Sequence, residues 1–140
     1  MRTTIGVLCV VLVAGCGGSR KDVLSAHDQG KGTERVFEAP ADKVWDASRA
    51  ALRWNHAESI EEHREQGYML GSAPTSAWSN GASMGIWIAP VGDAAAKARV
   101  VVSRSYSLNV TGQSESGVLA DITKAIAIVK SGKPLPDEAP

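Results

Sequence analysis

The chain has 140 residues, 44% of them hydrophobic, 21% charged and only 5% aromatic, and its 15 Lys and Arg are matched by 15 Asp and Glu. That length bounds it to one domain of ordinary size, able to bury roughly two thirds of the surface its unfolded form exposes, so neither disulfide nor metal is needed for folding. A formal net charge of zero, with no stripe of Lys and Arg, excludes the electrostatic footprint of a nucleic-acid binder.

The opening segment carries the positive charges of Arg2 and the amino terminus, and residues 5–14 are almost wholly apolar. Ten helical residues span about 15 Å, half of a ~30 Å hydrocarbon core, which is too short to cross a bilayer. The length suits the apolar centre of an export signal. The run ends at Val13, Ala14, Gly15 and Cys16, where small residues let a peptidase close on an extended backbone and a thiol follows the scissile bond.

These four residues resemble a bacterial lipobox, which makes residues 1–15 a lipoprotein signal peptide. The resemblance implies a diacylglyceryl thioether on Cys16, cleavage between Gly15 and Cys16, and acylation, palmitate included, of the new amino group. It also implies residence in the bacterial cell envelope. Gly17 in place of an Asp points, by the same resemblance, to the outer membrane with the domain facing the periplasm. The cysteine arithmetic agrees: cleavage discards Cys9, the thioether occupies Cys16, and no free thiol is left in an oxidising compartment. Cleavage also removes Arg2 and leaves the remainder one charge negative. The acyl chains, at ~0.8 kcal/mol per buried methylene, therefore do the anchoring rather than a polybasic patch.

Residues 16–33 contain Gly17, Gly18, Gly30 and Gly32 among polar side chains and read as a lipidated flexible tether with an r.m.s. span of about 20–25 Å. The domain is expected over residues 34–132. Residues 35–38 alternate as a short strand. Pro40 presets φ for a first helical turn, Asp42 suits its positive end, and Ala41, Val44, Trp45, Ser48, Ala51 and Leu52 line one face of a helix ending near Trp54. Arg49 and Arg53 occupy its last turns. Residues 57–65 are polar but extended, and Gln66 and Gly67 turn the chain into a strand over 68–72, completing a hairpin. Residues 73–83, with Pro74 and Gly81 around Trp78, read as the longest loop.

A third strand is expected over 84–91 and the longest over 99–110, where Val100, Val102, Tyr106 and Leu108 share a side that Arg104 interrupts. That guanidinium must reach an edge, meet a carboxylate or mark a bulge. Val118, Ile122, Ala125, Ile126 and Val129 define a second amphipathic helix over 116–131, with Ser114 or Ser116 to cap it and Gly132 at the left-handed position beyond its end. Three prolines and two acidic residues make 133–140 a disordered tail.

The order β-α-β-β-β-β-α gives an α+β, two-layer domain. Its antiparallel sheet has about five strands, two helices cover one face, and the charged hairpin side is wet. With this order, the helix start Phe37, Glu38, Ala39, Pro40, Ala41, Asp42, Lys43, Val44, Trp45 resembles a helix-grip domain. It is similar to the modules of BamC-like envelope lipoproteins and to the larger START-like ligand-binding domains. The first resemblance implies interaction or assembly at a membrane surface. The second implies an apolar cavity between the first helix and the sheet, with Trp87 and Tyr106 near it. Neither supplies a residue motif from which a functional residue transfers.

Chemistry-bearing patterns are scarce. His27, His56 and His63 form no helical i, i+4 pair, and strand alternation sends Glu61, His63 and Glu65 to one face and Glu62 to the other, a solvated face rather than a metal site. There is no G-x-S-x-G elbow and no thiol nucleophile in the mature chain. Asp42 and Asp46 compensate a helix dipole, and Gly30-Lys31-Gly32 is a linker. No catalytic residue, metal or cofactor is expected. Trp78, set among Ser76, Ser79 and Asn80, is either packed back or used for recognition, and Trp78, Trp87 and Tyr106 are the candidate binding residues. The sequence thus reads as a non-enzymatic, lipid-anchored envelope protein, held to the membrane through Cys16, with an envelope protein as partner. An apolar-ligand binding module is the alternative.

Overall fold

A computed structural model describes residues 18–76, 79–104 and 113–140. The signal segment 1–15, Cys16, Trp78 and Tyr106 lie outside these residues. In chain order the elements are α1 (Arg20–Asp28), β1 (Thr33–Phe37), α2 (Ala41–Trp54), β2 (Ser59–His63), β3 (Tyr68–Ser76), β4 (Ser79–Val91), β5 (Ala95–Arg104) and α3 (Glu115–Lys130). The strands form one antiparallel sheet in the order β1-β5-β4-β3-β2. α2 and α3 pack together on one face, as the alternation of the strands and the apolar stripes of both helices require.

The main core lies between these layers, where Leu52, Met69, Met84, Ile86, Leu119 and Ile122 are all at most 1% exposed. α2 buries the predicted face and also Ala47, Ala50 and Trp54, because α3 crosses its second flank. Pro40 is the N-cap of α2 at ψ 153° rather than part of its first turn. The helix ends through His56 in the left-handed region at φ +64°, which lets the Ala57 amide return to the Leu52 carbonyl at 3.0 Å. α3 starts as expected, Ser114 Oγ accepting from the Gly117 amide at 3.0 Å, and Gly132 follows it at φ +77°.

Five expectations need correction. The segment 73–83 is not a long loop: β3 and β4 continue as a hairpin, with Ala73 paired to Ala82 and Thr75 to Asn80. The ladder skips Pro74, which has no N–H to give, opposite Gly81 at φ +79°. The tether contains a helix, α1, closed at its start by a reciprocal capping box. The Ser19 hydroxyl accepts from the Asp22 amide at 3.2 Å, and the Asp22 carboxylate accepts from the Ser19 amide at 2.8 Å. Val23 in α1 is completely buried against Leu70 and Val101, so the hairpin side of the sheet is covered in its middle instead of wet. The segment 133–140 is tied to the domain as well, since Leu135 packs on the core and Trp54 Nε1 donates to the Pro136 carbonyl at 3.0 Å. Lastly, β5 begins at Ala95, a tight turn with Gly92 at φ +70° joining it to β4. Arg104 sits exposed at the end of β5, an edge position that resolves its place on an apolar side.

Candidate functional site: the sheet face beneath α1

The register aligns one residue from every strand in a single row across the sheet: His63, Tyr68, Trp87, Arg99 and Glu34. All five point away from α2 and α3, because Met69, Ile86, Ala98 and Val100, their neighbours on the strands, fill the core. His63 stacks on Tyr68 at 4.6 Å and Tyr68 on Trp87 at 5.6 Å. Arg99 continues the row into Glu34, donating from Nε at 2.8 Å and Nη2 at 2.5 Å, while Lys97 Nζ lies 3.4 Å from the same carboxylate. The Arg99 hydrogen bonds, with Lys97 assisting, hold the Glu34 carboxyl below its ordinary value.

α1 crosses this row. His27 lies flat on Trp87, centroids 3.8 Å apart and planes within 5°. Its seat exists because position 85 has no side chain: a Cβ there would come within 2.5 Å of the Trp87 ring and 2.6 Å of Val23 Cγ1. At the other end of the helix the Arg20 guanidinium reaches β2 and β3, bonding Glu61, Ser59 Oγ at 2.7 Å and Ser72 Oγ at 3.1 Å. Just before it, the Gly18 carbonyl accepts from Ser83 Oγ at 2.6 Å. The helix is therefore fastened at both ends and in the middle. Beyond His27 no described residue covers the sheet, and an open groove of about 380 Å³ runs past Trp87, Glu34, Lys97 and Arg99.

The opposite face holds a second polar cluster, which fastens β2 to α2. Glu62 accepts from Trp45 Nε1 at 2.8 Å and from Arg49, whose Nη1 also bonds Asp46 at 3.2 Å. Arg64 lies over the Trp45 ring at 4.8 Å. The Arg49 hydrogen bonds, aided by Trp45 and opposed by partial burial, bring the Glu62 carboxyl from 4.5 to about 2. A carboxyl whose folded value is depressed contributes stability that is fully present above its unfolded value and is lost as pH falls through the folded one. Wild type is expected to lose its advantage over Glu62→Gln between about pH 4.5 and pH 2. Urea midpoints of the two proteins at neutral pH and near pH 2 check this, and a constant difference across that window refutes it.

Alternation placed Glu61 and His63 correctly on one face, His63 Nε2 lying 3.7 Å from Glu61 Oε2, with Glu62 on the other, but Glu65 is not on that strand face because β2 ends at His63 and residues 64–67 form the turn. Among the described residues no group of three His, Cys, Asp or Glu is arranged to hold a metal ion. Asp46 answers Arg49 rather than only the helix dipole. Trp87 is not near a space between α2, the helix expected to close a cavity, and the sheet. It faces α1 on the far side, since Met84, Ile86 and Ile88 take the core positions of β4. Of the other candidates, Gly15, Cys16, Trp78 and Tyr106 lie outside the described residues. The row and His27 upon it escape sequence reasoning because these six residues come from six separate elements. Only Ser19 and Asp22, spaced as a capping box ahead of Val23, signal α1 in the sequence.

No protein-family model matches the chain, and no curated protein matches it. Among solved structures it is similar to that of DynU16, a protein in the dynemicin biosynthetic locus, at 15% identity and a TM-score of 0.41. The match covers 76% of this chain and 49% of that one, so the chain spans about half the length of this neighbour.

Proposed function

We propose that this is a non-enzymatic envelope lipoprotein, held by acyl chains on Cys16 in the outer membrane and facing the periplasm. Its small α+β domain serves interaction with envelope components at the membrane surface. The observation that carries the reading is the order of Arg2, the apolar residues 5–14, and Val13, Ala14, Gly15 and Cys16, the sequence of features that export and lipid attachment need. On this reading the link is short: α1 starts at Arg20, so a folded body would follow an acylated Cys16 almost directly.

Two measurements on the exported protein test this. Intact-mass analysis is expected to show a chain beginning at residue 16 with added acyl mass, and Cys16→Ser is expected to move the protein from the membrane fraction to the soluble one. An unacylated native product, or a serine variant that sediments with membranes as wild type does, overturns the reading. A second reading, binding of an apolar small molecule, is favoured by an open groove of about 350 Å³ between β1 and α3 that includes Phe37, Ile126 and Ala127. Native mass spectrometry after gentle extraction separates the two: a retained small molecule supports the groove, a co-purified protein the interaction role.

A further inference from the structure

Resting on the lipid-anchored reading, we infer which surface of the domain meets the membrane. It is the end of the sheet that carries Gly18, Ser83 and Arg104, together with the first turn of α1. Only Gly17 separates Cys16 from Gly18, and two residue steps of extended chain at no more than about 3.6 Å each put an acylated Cys16 within about 7 Å of Gly18. Gly18 is itself fixed, through its carbonyl on Ser83 and through α1, which Arg20, Val23 and His27 hold to the sheet. A free tether over the same stretch would have let the domain wander about 20–25 Å from its anchor. The docked helix removes that slack and turns the Gly18 end, with the β3–β4 hairpin that runs on past Ser83, toward the lipid headgroups.

The charges at this end fit a phospholipid surface. Lys21 is exposed in the first turn of α1, and Arg104 is exposed opposite Ala82, beside Ser83. Neither makes an ion pair with a described residue. Of the carboxylates at this end, Asp22 is engaged in the capping box, Glu61 by Arg20 and Glu115 by Thr33 Oγ1 at 2.5 Å, and Glu58 is exposed beside Ser72. Lys21 and Arg104 offset Glu58 and are the groups that face headgroup phosphates.

The other end of the sheet then points into the aqueous space. From Ser83 to Gly92 is nine residues along β4, about 30 Å at 3.3 Å each. That end carries Val36 and Val91, 57% and 49% exposed, on the sheet face that α1 leaves bare.

The test uses the full acylated protein reconstituted into vesicles of phosphatidylethanolamine and phosphatidylglycerol, with a quencher attached to a fraction of the headgroups. Because the thioether blocks Cys16 and signal cleavage removes Cys9, each of Thr75→Cys and Asp93→Cys offers one thiol for a fluorophore. Thr75 is exposed at the β3–β4 hairpin end and Asp93 at the β4–β5 turn. The label at 75 is expected to be strongly quenched and the label at 93 to be as bright as without quencher. Inserting about twelve Gly and Ser residues between Gly17 and Gly18, outside the folded body, adds a coil of roughly 20 Å and is expected to bring the two labels to similar quenching at an unchanged melting temperature. Equal quenching without the insertion, or a contrast that survives it, overturns the orientation while the acylation stands. A preparation whose intact mass lacks the acyl chains overturns the anchoring and the orientation together.

Discussion

Replacing Leu52 by alanine is expected to remove about 3 kcal/mol of stability, from the 2–5 kcal/mol that truncating a fully buried leucine costs. Leu52 is 0% exposed and sits where α2 meets β3. A Cβ added at Gly71 would lie 3.2 Å from Leu52 Cδ2 and 3.3 Å from Cδ1, so the leucine presses directly on bare strand backbone. A rigid strand and a helix pinned by α3 leave little freedom to collapse into the space, which favours the upper part of the range. The melting temperature is expected to fall by on the order of 10 °C or more. Val36→Ala is the control: at 57% exposure it is expected to change stability by less than about 0.5 kcal/mol. Thermal scans of the two variants decide the matter, and similar small shifts in both refute it.

The same contrast explains what could be read from the chain. Val44, Trp45, Ser48 and Leu52 recur with a helical period, so α2 was legible to its last residue, Trp54. Ala47 and Ala50 were not assigned to the core because small side chains weigh little in such a pattern, and only the crossing of α3 makes them buried. Alternation separated Glu62 from Glu61 and His63 correctly, since β2 is short and regular. The same rule was ambiguous at Ile86, Trp87 and Ile88, where three consecutive apolar residues let either side be the core.

α1 is hard to read from the sequence because its nine residues hold few apolar side chains and Gly30 and Gly32 follow it. It is helical through its capping box and through contacts with residues about 50 to 80 positions away. The aromatic row lies further still from what the sequence shows. It depends on register, which the turns at 64–67 and 92–94 set and which no local pattern encodes.

Substituting Gly85 by alanine is expected to unseat α1 while leaving the main core folded. The new methyl would meet the Trp87 ring at 2.5 Å and Val23 Cγ1 at 2.6 Å, both well inside van der Waals contact. Neither neighbour is the loose end of a flexible chain. Trp87 stacks with both His27 and Tyr68, and Val23 is carried on a helix fastened by Arg20 and by the Ser83 bond to Gly18. Overpacking of this kind costs about 1–3 kcal/mol, and the Val23, Leu70, Val101 cluster is separate from the core beneath α2 and α3. The cheapest relief is therefore for α1 to lift from the sheet rather than for the sheet to deform. Amide hydrogen exchange is expected to show the interior amides of α1 losing most of their protection, while those of α2 and α3 change little. Protection of α1 equal to wild type refutes the argument, and equal loss in all three helices shows that the two clusters fold as one. On the proposed lipid-anchored reading, the same substitution would convert a short rigid link into a slack one and so couple the packing at position 85 to how the domain stands on the membrane.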